Sequence, residues 1–187
     1  MAEAYGAGDS PYAVARECEQ ILLASGMTEE AYQRYAIASN QHGTFLATFR
    51  AIAAKYPCKS PEQILHDLVE STPGEEGKWF VAAKSIGRYK EAIELANRTP
   101  CDPRTLTRAA RDTADEEPLF ALEAGMAALR WLAQGHGYEI TGADVWSAYD
   151  NTLKAAEKAG RRPETLRRIQ RLASGFVLQV LRRELGL

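Results

Sequence analysis

Four arginines toward the end of the chain, Arg167, Arg168, Arg171 and Arg182, carry the clearest binding chemistry in this sequence. At 100° per residue on a helix they lie opposite a stripe of Leu166, Ile169, Ala173, Phe176 and Val180, so the cations face solvent or an acidic partner. Nucleic acid is one such partner, against which the acidic remainder of the chain weighs. The plainer reading is a solubilising polar face in which Glu164 pairs with Arg168 four residues on. A second group, His136, Tyr138, Trp146 and Tyr149, brackets one helix-loop-helix turn. These side chains either line a groove or fill an ordinary hairpin core. Among the three histidines, His136 between Gly135 and Gly137 is the best placed for a functional loop position.

Other chemistries lack their residues. Nucleophilic catalysis needs a nucleophile beside an oriented base, and His42, His66 and His136 are scattered. His66 and Asp67 are adjacent on a predicted helix, about 100° apart, and do not form one site unaided. No H-x-x-H, E-x-x-H or paired cysteine offers metal-ligand spacing, and neither a Walker-type nor a dinucleotide-binding glycine loop is present. The carboxylates Glu75/Glu76 and Asp115/Glu116/Glu117 stand at predicted helix starts, where they complement the helix dipole. Trp79 and Phe80, with Lys78 and Lys84 nearby, read as core aromatics rather than a contact patch. Cys18, Cys58 and Cys101 are odd in number and widely spaced, which argues against a disulfide framework and a zinc site. The expectation is a non-catalytic protein without metal or cofactor.

At 187 residues, with 45% apolar and 26% charged positions, the chain has the make-up of one folded domain. Residues 1–9 read as flexible. No apolar run reaches the roughly 18 to 20 residues that cross a bilayer, and MAEAYGAGDS lacks the pattern of a secretory signal, so a cytoplasmic address is expected. From Lys154 onward nine basic residues face three acids, a net +6 within an overall charge of −2. An acidic body with a basic end follows.

The elements that would hold these residues are helices. Ser10-Pro11, Ser60-Pro61, Thr72-Pro73 and Asp102-Pro103 each place an N-cap oxygen before a proline, and Thr141 with Asp144 has capping-box spacing. Gly26, Gly87, Gly160 and the Gly135/Gly137 pair supply stops. Starts and stops together predict helices near 11–25, 28–40, 43–55, 61–71, 74–86, 88–98, 103–115, 118–134, 142–159 and 163–186, the last kinked at Gly175. Short connections make them consecutive antiparallel hairpins. The eighth helix has a bulky stripe (Leu119, Leu122, Met126, Leu129, Leu132) and a small one (Ala121, Ala124, Gly125, Ala128), so it can be sandwiched between neighbours.

Three segments share a grammar. LLASGMTEEAY, AAKSIGRYKEAI and AAEKAGRRPETL each place a glutamate four residues past the glycine (Glu30, Glu91, Glu164). A small residue follows (Ala31, Ala92, Thr165), then a bulky one (Tyr32, Ile93, Leu166). At GRYKEAIELA, residues 87–96, the chain resembles the tetratricopeptide family, in which such a segment marks the turn and second helix of each hairpin. The glycine spacings of 61 and 73 residues make any repeat degenerate. Segments 43–57, 72–80 and 137–149 also resemble parts of bacterial helical-repeat proteins without an assigned activity. The resemblance implies an all-α, tetratricopeptide-like solenoid of about ten helices that presents a surface to a protein or peptide. Nucleic-acid binding through the C-terminal arginines and an enzyme or ligand-binding domain around His136 are the alternatives.

Overall fold

The computed structural model describes residues 11–172 and 175–185. The expectation for residues 1–9, the cap at Ser10 and the stripe position Ala173 lie outside them. The described residues form helices α1 (Pro11–Ala24), α2 (Thr28–Ser39), α3 (Phe45–Lys55), α4 (Pro61–Ser71), α5 (Phe80–Ser85), α6 (Tyr89–Arg98), α7 (Pro103–Asp112), α8 (Pro118–Ala133), α9 (Gly142–Lys158), α10 (Arg162–Leu172) and α11 (Gly175–Leu185). A single 3-10 turn, Glu76–Trp79, leads into α5, and no strand occurs among the described residues. The fold is all-α. A single domain is the expectation from sequence; the chain gathers into two compact units that part between Ser71 and Thr72.

The glycine stops work as the grammar requires. Gly26, Gly87, Gly135 and Gly160 have φ between 67° and 81°, the left-handed region that glycine enters without a Cβ clash. At each, the residue after the glycine donates its N–H five residues back, as Met27 does to the Leu22 carbonyl and Arg161 to that of Ala156. This closes the orphan carbonyls of the last turn. The small residue at the shared offset is where the next helix meets its neighbours: Ala31, Ala92 and Thr165 are all 0% exposed. Capping also follows the sequence at Asp102, which accepts from the Thr105 N–H at 2.9 Å, and at Thr141–Asp144, a reciprocal capping box. Thr72 departs from it, because its hydroxyl accepts from Trp79 Nε1 at 2.7 Å. Thr72 thereby anchors the buried Trp79, and residues 74–79 form a turn and 3-10 segment rather than the start of an α-helix.

In the first unit α1 packs on α2, and α3 on α4. Its polar centre is Glu19, which is 0% exposed. The carboxylate accepts from Tyr56 Oη at 2.6 Å, Asn40 Nδ2 at 2.8 Å and Lys55 Nζ at 2.7 Å. Burial by itself would raise this carboxyl's pKa, yet the donors from Lys55, Tyr56, Ser39 and Asn40 outweigh it and hold it below the usual range. A buried charge persists only when paired and hydrogen-bonded in this way.

In the second unit α8 is the hub, packed against α6, α7, α9, α10 and α11. The sandwich read from its two stripes is realised by Leu122, Met126, Leu129 and Leu132 on one side and by Ala121, Ala124, Gly125 and Ala128 on the other, all buried. At Gly125 the backbone of α8 comes so close to Thr152 of α9 that no side chain fits. Leu119 breaks the pattern: it lies in the first turn of α8 and is exposed. Phe120 takes its place inside, against Tyr89 and Phe80. The predicted last helix is two helices. Gly175 takes φ 51° and restarts the chain as α11, which buries Val177 and Val180 but leaves Phe176 exposed.

Candidate functional site

The break before α11 separates the four arginines. Arg167, Arg168 and Arg171 stand on α10 and Arg182 on α11, so they are not one continuous face. Arg167, Arg171 and Arg182 are exposed, and Arg168 is half-buried. Arg168 does not pair with Glu164 along its own helix. Its Nη1 and Nη2 donate to Glu123 Oε1 and Oε2 of α8 at 2.6 and 2.7 Å, a two-pronged ion pair that fixes α10 on α8. Glu164 lies instead 3.6 Å from Arg161. A carboxylate across the helix interface meets the planar fork better than one on the same surface, which explains the exchange.

From Phe120 to Leu132 every residue of α8 is buried except Glu123 and Arg130. These are also its only charged residues, seven apart and therefore on one face, two turns from each other. They open a window through which α8 meets solvent. There, Glu123, Met126 and Arg130 of α8, Asn97 of α6, and Arg168, Arg171 and Leu172 of α10 line a cleft of about 370 Å³. Its floor at Met126 and Ala127 is apolar, while its walls are cationic.

Arg130 is held tightly. Its Nη2 donates to the Ala96 and Asn97 carbonyls at 3.2 and 3.3 Å, capping the C-terminal end of α6, where Trp131 Nε1 also reaches the Ala96 carbonyl at 2.8 Å. Its Nε is buried without a hydrogen-bond acceptor. Burial pulls this guanidinium below the usual arginine range, because a setting poor in water disfavours the charged form. Among the described residues no carboxylate lies within ion-pairing distance of Arg130 or Arg171. Arg168 carries the opposite signature: its bond to Glu123 raises its pKa. The cleft therefore keeps two guanidinium groups without a carboxylate partner over an apolar floor, Arg130 also lying 4.3 Å over the Trp131 ring, a setting that accepts an anion attached to an apolar group.

The other predicted group is dispersed. His136 stands edge-on to Trp131, ring centres 5.0 Å apart, and its backbone N–H completes the α8 stop. Tyr138 is 78% exposed in the following loop. Trp146, 36% exposed, tilts against the buried Tyr149 at 5.4 Å. No cleft described here is lined by these four together. Trp79 and Phe80 are buried core residues. In the first unit α4 winds Glu70 back beside His66, with Nε2 to Oε1 3.4 Å and Nδ1 to Asp67 Oδ1 3.8 Å. The pairing along the helix with Glu70 is a neighbour that the His66-Asp67 reading leaves out. Asp67 is already engaged by Tyr32 Oη at 2.6 Å and Gln63 Nε2 at 2.7 Å. Cys18, Cys58 and Cys101 are unpaired thiols, and burial pushes that of Cys101 up to about 12.

Arg130, Glu123 and Asn97 were not singled out from sequence. A signal existed for the first two: they are the lone charges of an otherwise apolar helix, spaced seven apart. No helix among the described residues is long and apolar enough to cross a membrane. Comparison of the chain with family models, with curated proteins and with solved structures finds no match.

Proposed function

We propose that this chain is a non-catalytic interaction module, tetratricopeptide-like in its hairpin grammar, that holds an acidic segment of a protein or peptide in the cleft between α6, α8 and α10. The observation that carries this reading is the pair Arg130 and Arg171, cationic and without carboxylate partners, above the apolar floor at Met126. A carboxylate on the partner supplies the missing charge, and an adjacent apolar side chain covers the floor. Arg168, locked to Glu123, positions α10 as a wall. A cytoplasmic setting agrees with this role.

Fluorescence anisotropy of the full chain against short labelled peptides tests it. Peptides carrying Asp or Glu next to Leu or Met are expected to bind, and their Lys-substituted counterparts are not. Arg171→Ala is expected to weaken binding about tenfold, in line with one charge-assisted contact, while Arg167→Ala leaves it unchanged. Because Arg130 also caps α6, Arg130→Lys is the second variant, which keeps charge and loses the fork. Indifference to peptide charge, or full affinity in Arg171→Ala, refutes the proposal. Preferential binding of an oligonucleotide, with affinity falling about 0.9 log unit per log unit of salt for each duplex phosphate contacted, would replace it with nucleic-acid recognition.

A further inference from the structure

A second groove in the same unit, between α7 and α9, has a different lining. Arg104, Arg108 and Arg111 of α7 face Ser147 and Asn151 of α9 across about 390 Å³. The arginines recur at steps of four and three, so they stack along one face of α7. The one carboxylate in the lining, Asp144, is already saturated. Its Oδ1 accepts from Arg104 Nε at 2.7 Å, and its Oδ2 from Arg104 Nη2 at 3.0 Å and from the Thr141 N–H and hydroxyl, each at 2.8 Å.

The remaining donors are under-used. Among the described residues Arg108 hydrogen-bonds only to the Arg104 carbonyl at 3.4 Å and the Thr105 hydroxyl at 3.3 Å, both neutral and at the long limit, while the Asp112 carboxylate acts on it through space alone. Arg111, also in the lining, spends its Nε on the neighbouring Asp112, and its terminal nitrogens donate to no other described residue. Ser147 Oγ accepts from Asn151 Nδ2 at 3.3 Å, so its own proton is left for an acceptor in the groove. Arg108 and Arg111, one turn apart, can close on a single point.

We infer that this groove binds a phosphate monoester. Two guanidinium forks and a hydroxyl offer more donors than the two oxygens of a carboxylate accept, whereas a phosphate monoester presents three terminal oxygens and nearly two negative charges. The groove is larger than a phosphate ion, which leaves room for the group that carries the phosphate. Thr107, Ser147 and Asn151 offer polar groups to a sugar or another polar carrier, beside the apolar surface of Pro103 and the arginine stems.

The test is an amide-shift titration of the ¹⁵N-labelled full chain with ribose 5-phosphate, O-phosphoserine and inorganic phosphate, with acetate and succinate as carboxylate controls. Saturable shifts confined to residues 103–111 and 144–151 are expected. Arg108→Ala should weaken the affinity about tenfold or more and Ser147→Ala about threefold, while Arg171→Ala, in the other cleft, should not change it. A preference for either ester over inorganic phosphate assigns the carrier and supports the inference. Carboxylates binding as well as the esters, shifts gathered on α6, α8 and α10, or a folded Arg108→Ala chain with undiminished affinity would overturn it.

Discussion

Gly125→Ala isolates the contact on which the second unit is built. The added Cβ would lie 2.2 Å from Thr152 Oγ1, 3.0 Å from its Cβ and 3.1 Å from its Cα, well inside the roughly 3.5–4.0 Å of an unstrained carbon contact. The hydroxyl is poorly placed to swing aside, because it donates to the Ala148 carbonyl at 2.6 Å and Thr152 is fully buried. The third atom is backbone, so α8 and α9 must move apart by several tenths of an ångström. Overpacking a filled core costs about 1–3 kcal/mol, and replacing a helical glycine by alanine returns about 0.5–1 kcal/mol. A net loss of about 1–2 kcal/mol is expected, read as a lower urea midpoint by circular dichroism with an unchanged slope. Thr152→Ala removes the nearest atom, so the double variant should recover about half the loss as a coupling in the mutant cycle. Gly43→Ala, where no atom lies within 4 Å, should stay within about 0.5 kcal/mol of the parent. Parental stability in Gly125→Ala, or strict additivity with Thr152→Ala, would refute the close-crossing argument.

Glu19→Ala should destabilise the first unit by about 3–5 kcal/mol, since it strands Lys55 and leaves Tyr56 and Asn40 without their acceptor, and Glu19→Gln should cost less. Because the Glu19 carboxyl is held below its ordinary range, its contribution is present above the ordinary carboxylate pKa and lost as pH falls through the folded value. Acid denaturation of the parent should therefore be steeper over that window than that of Glu19→Gln. Asp144→Asn should remove about 1–2 kcal/mol from the second unit, through a weakened cap on α9 and the broken pair with Arg104, and thermal unfolding checks it. The Asp144 carboxyl is pulled well below its usual range, chiefly by Arg104, so its share too should vanish only in strong acid.

The local order of this chain is written in single residues. Glycines at 26, 87, 135 and 160, prolines at 61, 103 and 118, and caps at Asp102 and Thr141 act through backbone sterics and hydrogen bonds within a few residues. The helix boundaries therefore follow from sequence within a residue or two over most of the chain. The small residues Ala31, Ala92 and Thr165 at a shared offset were legible as a pattern, and the fold shows that all three are buried. What the sequence could not decide is which charged face meets which. Arg168 reads as the partner of Glu164, four residues away, until the fold brings Glu123 from 45 positions back to its guanidinium. Arg130 shows in the sequence only as a lone charge on an apolar helix, and the fold turns it onto the end of α6 and buries its Nε. Those outcomes depend on side chains distant along the chain meeting at one point, with desolvation acting on whatever they enclose, and only the tertiary structure sets that meeting.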